Sequence, residues 1–449
     1  MRLQAATALS LAFMVIVVFV VVSAETPGRS AEPSLIYTST PRYDAMAWVQ
    51  SGERFPQGAK LMVRSGGVAH TLIADFFASA DPSVSFDGKR VLFSGKKLAS
   101  DHWQIWELAT NHKLTQLTSC TDDCVTPFYL PEDRIVYAHK VDGAFRLEAS
   151  PVNRGGPLRL TYTPGSALPT DVLRDGRILF EAAYPLGEGV TAEIYTVYPD
   201  GSGVESYRCD HGPGRHSGKQ ARSGDVVFAG DHGMARFNSA FAHELKVDAP
   251  PGLYTGDAIQ TASGSWIMPR RRDSQMNYEL VEWNPAARSI KSIAENGHDL
   301  VQPQLLVPRE TPHRFPSALH NWEGANVLCL NAYTSKVPIA HGTVSYVNVY
   351  ALDEKQRKLL GRAPVEADGS FFLHVPSDQP LQLELLDSSG NTIQREHGWF
   401  WMRRGEQRVC VGCHAGPERA PENAVPEVLV KSTDPADLTQ HPAMAKGGR

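Results

Sequence analysis

Short apolar runs and polar turns alternate along most of this chain, and the alternation repeats. Five segments share one pattern: a small or polar lead-in, a tight turn, then a β-branched and aromatic run. They extend from Pro82 to Phe93, Pro127 to Tyr137, Pro169 to Phe180, Ser217 to Phe228 and Ala258 to Met268. Their apolar cores start at Val91, Ile135, Ile178, Val226 and Trp266, 40 to 48 residues apart. Second strands follow at Gln104, Arg146, Glu193 and Glu279, and third strands at Lys113, Pro157, Val204 and Ser289. Asp87-Gly88, Asp175-Gly176 and Asp200-Gly201 supply the turn chemistry that hairpins need. A period near 40–45 with several strands per unit predicts propeller blades, because one blade cannot bury both faces of its sheet alone. An earlier unit lies around Leu35 and Leu61, and a closing piece runs from Val301 to Pro308. The count is six blades over residues 30–315, with seven as the alternative.

The pattern changes after Ser317. Strands are predicted near Asn326, Gly342, Ser370, Leu381 and Gly398, separated by turns such as Asp368-Gly369 and Ser388-Ser389-Gly390. This reads as a small β-sandwich-like domain over residues 317–403. The fold class is therefore all-β. Trp399, Phe400 and Trp401 are consecutive in the last strand, so their side chains face both ways. One face meets the sandwich; the other needs the propeller or a large planar cofactor. Residues 404–449, rich in Pro and Gly, read as an attachment segment and irregular tail.

The N-terminus differs again. Arg2 is the only charge before Glu25, and Leu9 to Val22 is almost continuously apolar. Val22-Ser23-Ala24 follows with small or tolerated residues at the two positions a signal peptidase reads, so residues 1–24 read as a secretory signal peptide, and the chain is expected to be exported or periplasmic. An uncleaved anchor is the alternative, and a membrane partner is expected only in that case. Lys plus Arg is 44 against 49 Asp plus Glu, a net charge of −5, which argues against nucleic acid as a partner.

Cysteine spacing carries the sharpest chemistry. Cys410-Val411-Gly412-Cys413-His414 is the attachment motif of a c-type haem: two thiols that add to porphyrin vinyl groups and a His that ligates iron. With 6 Cys and 16 His in 449 residues, roughly 0.003 such matches arise by chance. One covalent haem is expected, with His414 on the iron and Met402 or His397 as the candidate sixth ligand. Arg403, Arg404 and Arg408 are candidate partners for the haem propionates. Cys120 and Cys124 lack a following His and read as a short disulfide. Cys209 and Cys329 are left unassigned. His211, Arg215 and His216 share a Gly/Pro-rich connection between blades. They are read as an inter-blade turn or as metal or anion ligands at the propeller mouth. A further metal such as zinc has no ligand spacing behind it.

The repeats resemble PD40 or TolB-type propellers, with Pro82 to Phe93 matching that motif best. The whole arrangement resembles the hydrazine synthase alpha-subunit family. Its carrying residues are Gly405-Glu406 and Cys410 to His414, with Pro417 and Pro421 beyond, after the blades from Pro82 to Met268. The resemblance implies a haem-bearing β-domain docked on a propeller. In the hydrazine-forming enzyme a Tyr four residues past the motif His ligates iron, and the His turns to zinc. That position here is Glu418, and this chain has one such motif where that enzyme has two. The resemblance thus implies a relative: an electron-transfer protein or a subunit of a periplasmic redox complex, working with redox partner proteins. A redox enzyme with an open iron site facing the propeller, and a binding scaffold with a structural haem, are the alternatives.

Overall fold

The computed structural model describes residues 33–152, 155–187, 191–208, 214–231, 233–240, 243–353, 355–413 and 423–439. The N-terminal segment, Cys209, His211, His414 and Glu418 lie outside the described residues. Residues from Pro33 onward form one compact unit.

Six sheets form the blades of a propeller, with inner strands Asp299–Leu305, Ala78–Val84, Cys124–Leu130, Ala167–Val172, His216–Gln220 and Ile259–Gln260. Burial falls from inside to outside. Ala78–Val84 and Cys124–Leu130 are buried throughout, whereas the outer strands Val68–Thr71 and Leu158–Arg159 are exposed. Inner strands are covered on both faces by neighbouring blades, so they need not alternate. The Asp-Gly turns fall at the predicted places, with Gly88, Gly176 and Gly201 all at positive φ.

The earlier unit and the closing piece belong to one blade. Leu35–Thr40 pairs antiparallel with Asp299–Leu305 on one side and with Lys60–Ser65 on the other. The two ends of the repeat region thereby close the ring.

Residues 41–59, which the repeat pattern leaves blank, fold over one end of the ring. Tyr43, Trp48 and Phe55 pack there with Trp103 and Phe145. Trp48 meets Phe55 edge-on at 5.5 Å and Trp103 at 6.4 Å, the geometry that aromatic quadrupoles favour.

From residue 306 to 324 the chain forms no strand and runs along the propeller. Arg309 N donates to Phe86 O and His313 N to Arg174 O, both at 2.8 Å. Phe315 stacks on Tyr198 with ring centroids 3.9 Å apart.

The β-domain is two four-stranded sheets. One holds Gln407–Cys410, Ala325–Cys329, Phe371–Val375 and Ala436–Asp437, and the other holds Gln356–Pro364, Tyr346–Asp353, Leu381–Leu386 and Thr392–Arg395. Three expectations change here. Gln407–Cys410 and Ala436–Asp437 pair in parallel with sandwich strands, so the attachment segment is woven into the sandwich instead of trailing it. A short helix, Glu427–Lys431, lies in the same stretch. The stretch from Gly398 to Arg403 is no sheet strand; its one bridge joins Phe400 to Leu381.

The reason is that this stretch is shared between two cores. Met402 is fully buried in the sandwich, and Trp401 is fully buried between the third and fourth blades. Trp401 Nε1 donates to Gly201 O at 3.0 Å, and Trp399 N donates to Leu186 O at 3.0 Å. Backbone groups turned toward the propeller cannot also serve a sheet ladder.

Candidate functional site

Cys410 ends its strand directly opposite Cys329 on the parallel neighbour. Cys413 follows one turn later, and both motif cysteines are partly buried against the sandwich core. Two glycines make this possible. A Cβ on Gly412 would lie 2.1 Å from Thr334 O, and one on Gly405 would lie 1.8 Å from His320 O, so neither position admits a side chain. Burial pushes the thiols of Cys410 and Cys413 up from the ordinary value. Cys329, buried beneath them, is pushed well up by the same effect, with Cys413 and Cys410 adding to it. Three free cysteines therefore share one corner of the domain.

A cleft of about 960 Å³ opens beside that corner. Val337, Leu352, Ile393 and Trp399 give it apolar wall, and Lys355, Arg357, Arg395, Glu396 and His397 give it charge. Two connections tie it to the cysteines. Glu396 is close enough to raise the Cys410 and Cys413 pKa values electrostatically. Val337 follows the Thr334 backbone that packs on Gly412. The Glu396 carboxyl is itself raised to about 7 by burial.

The basic end of the cleft rests on Glu384. Arg395 Nε and Nη2 both donate to Glu384 Oε1, at 3.0 and 2.8 Å, and Tyr350 donates to Oε2 at 2.7 Å. Arg357 Nη2 stands 3.4 Å from Glu384 Oε2, and its Cζ lies 3.4 Å from the centroid of the Tyr350 ring. The side-chain hydrogen bonds from Tyr350, Arg395 and Thr392 outweigh burial and hold the Glu384 carboxyl down at about 2. One carboxylate thus faces two arginines.

A porphyrin-sized group fits this cleft by volume and lining: an apolar wall, a basic end, and the two thiols alongside. The arginines expected to serve it are elsewhere. Arg403 is buried at the domain seam, where it pairs with Asp378 at 3.1 Å and donates to Tyr162 and to Arg159 O. Arg408 is held by Glu406 at 2.7 Å, and Arg404 donates to Trp322 O. Sequence proximity to the motif misled here, because the chain leaves the cleft before it reaches the cysteines. The two candidate iron ligands separate likewise. His397 borders the cleft, whereas Met402 is wholly inside the sandwich core and does not.

Cys120 and Cys124 form a disulfide, with Cα atoms 6.2 Å apart. His139 lies beside them, but the bond removes both sulfurs as metal-binding thiolates. Arg215 is buried, bonded to Glu193 at 3.1 Å and Glu244 at 2.8 Å, and lies over the Phe237 ring. His216 starts an inner strand, and its Nδ1 contacts Ser217 Oγ at 3.1 Å. Both described members of that cluster therefore take part in the packing of the fifth blade.

Sequence reading passed over the propeller channel. Arg54 enters from the cap and pairs with Glu181 at 2.9 Å, whose other oxygen accepts from Ser217 N at 2.8 Å. Asp81 accepts from Ser94 Oγ and Gln302 Nε2. Asp81, Thr126, Ser217 and Gln302, on four different blades, all sit at positive φ beside inner-strand bulges. A bulge re-aims the strand locally, and no residue type marks these positions in the sequence.

Residues 330–415 match the hydrazine synthase alpha subunit middle domain. A 65-residue stretch is 37% identical to hydrazine synthase subunit alpha of Kuenenia stuttgartiensis, covering 14% of this chain and 8% of that protein. The solved hydrazine synthase of the same organism superposes with a TM-score of 0.77 at 17% identity, over 89% of this chain and 71% of that one. TolB from Acinetobacter baumannii superposes at 0.47 and 12% identity, over 60% of this chain and 66% of that one. Residues 330–415 are therefore similar to the hydrazine synthase alpha subunit middle domain, and the fold of the chain is that of the hydrazine synthase chain on which it superposes.

Proposed function

We propose that this chain is an exported mono-haem c-type protein that works as a subunit of a redox complex. The observation that carries the reading is the cleft of about 960 Å³ beside Cys410 and Cys413. Cys410 and Cys413 hold the haem by thioether bonds, and His414 ligates its iron. When bound, the haem supplies one-electron chemistry. The chain's own residues give it an apolar wall in Trp399 and Ile393 and a charged end in Arg357 and Arg395. The name of its relative, an alpha subunit, supports other subunits as partners.

A redox enzyme with an open iron site is the second reading. The burial of Met402 favours it, since His397 is then the nominated side chain left on the cleft wall.

Mass spectrometry of the denatured protein tests attachment. One haem of added mass should survive on the peptide containing Cys410 and Cys413, and Cys410→Ala/Cys413→Ala should lose it while keeping the fold. Haem that extracts into acid–acetone overturns the reading. Carbon monoxide binding then separates the two roles. Fast binding to the unsubstituted protein supports the enzyme. Inertness relieved by His397→Ala supports electron transfer.

A further inference from the structure

The basic end of the β-domain cleft holds more positive charge than the protein itself uses. Arg357 and Arg395 converge on the single carboxylate of Glu384, and Lys355 lines the same wall. Arg395 gives both its bonds to one oxygen, Oε1. Oε2 is already taken by the Tyr350 hydroxyl at 2.7 Å, so Arg357 stands off at 3.4 Å. Arg357 Nε and Nη2 are both buried and carry no hydrogen bond.

A buried guanidinium nitrogen without an acceptor is costly, because its lost hydration is not replaced. Those two nitrogens are closed off from solvent, but the Arg357 side chain as a whole is 25% exposed where it lines the cleft and lies over Tyr350. The planar fork of Arg suits carboxylates best, since two parallel N–H groups match two oxygens. The opposite wall is apolar, with Ile393, Val337 and Trp399. A ligand for this space is therefore flat, largely apolar and acidic at one edge.

We infer that Arg357 and Arg395, with Lys355, form the site that binds the propionates of the porphyrin in this cleft, in place of the arginines next to the attachment motif. The inference rests on the haem reading above for its ligand. Its geometry concerns the cleft alone. Arg403 and Arg408 do not line the cleft, and they pair elsewhere with Asp378 and Glu406. The roles divide along the cleft: the cysteines fix the vinyl edge of the macrocycle, and the arginines fix the acidic edge.

The test uses the full-length chain made without haem, kept reduced, and titrated with mesoporphyrin and with its dimethyl ester. Fluorescence reads both affinities. The diacid should bind about tenfold tighter or more, the ratio expected when one charge-assisted pair is gained. Arg357→Gln and Arg395→Gln should each shrink that ratio, and Arg404→Gln should leave it unchanged. Equal affinity of diacid and ester for the unsubstituted chain overturns the inference without calling on any variant. So does a ratio that survives in the Arg357→Gln/Arg395→Gln protein. Failure of the haem reading shows separately, as absence of covalent haem from the denatured wild-type peptide. Preference for the diacid in a chain that never acquires haem would keep the anion site and remove its proposed resident.

Discussion

The propeller channel and the β-domain cleft both gather arginines and carboxylates, and they end in opposite states. In the channel the buried charges have partners inside the protein: Arg54 meets Glu181, and Asp81 is held by Ser94 and Gln302. In the cleft two arginines meet Glu384, and Lys355 stands on the same wall. The channel has room for about 40 Å³ and the cleft for about 960 Å³. A buried charge must be compensated, from within or by a ligand. The channel is compensated from within and serves as the hub of a scaffold. The cleft carries surplus charge and leaves space for what balances it.

The largest effect should come from the seam that joins the two regions. Trp401→Ala removes a fully buried indole from between two blades and its bond to Gly201 O. It should cost about 3–5 kcal/mol and split denaturant unfolding into two transitions, one per region. A single transition displaced by less than about 1 kcal/mol would show that the seam is held elsewhere.

Arg54→Ala breaks the balance of the channel. It leaves Glu181 buried without its cation, at a cost of about 3–4 kcal/mol in chemical denaturation. Arg54→Ala/Glu181→Gln should recover much of that loss. If the double variant is no better than the single one, the pair is not what matters, and the cap over the channel is.

Glu384→Gln tilts the cleft further from balance and should have the smallest effect on stability. The Glu384 carboxyl sits at about 2 in the folded protein, below its ordinary value. Its contribution is present above the ordinary carboxylate range and is lost as pH falls toward 2. The variant should therefore flatten the acid limb of stability against pH. The change is on the order of 1 kcal/mol, since Arg395 is half exposed and solvent screens it. Removing the carboxylate should also tighten binding of porphyrin diacids. Unchanged binding would mean that the arginines do not read the cleft's charge.

The propeller was largely legible in the sequence because its order is periodic. Val91, Ile135, Ile178 and Val226 recur at blade spacing, and each lies in a second strand of its blade. The cleft was not legible. Arg357 and Arg395 stand on Gln356–Pro364 and Thr392–Arg395, two strands that alternate weakly and that no predicted strand covers. Arg357 and Arg395 are 38 residues apart in the chain and meet through Glu384 only because Tyr346–Asp353 and Leu381–Leu386 lie side by side. The cysteine motif was visible because its chemistry is local; the surroundings that give it a cavity come from the register of distant strands. Arg54 escaped notice for a related reason. It sits in a segment with no repeat, and its partner is 127 residues away.

The closure of the ring also imposes a timetable. Asp299–Leu305 is the innermost strand of the blade that begins with Leu35–Thr40, yet it is the last strand of the ring to be made. Until residue 305 has emerged, the nascent chain is an open arc, and Leu35–Thr40 offers a bare hydrogen-bonding edge to any strand that passes. Five blades' worth of chain must wait in that condition before the first one is complete. The β-domain follows within about 20 residues, so the ring shuts just as the segment that carries the cysteines starts to appear. Chain order thus makes the scaffold ready before Cys410 and Cys413 arrive, and places the period of greatest exposure to misassociation in the synthesis of the propeller.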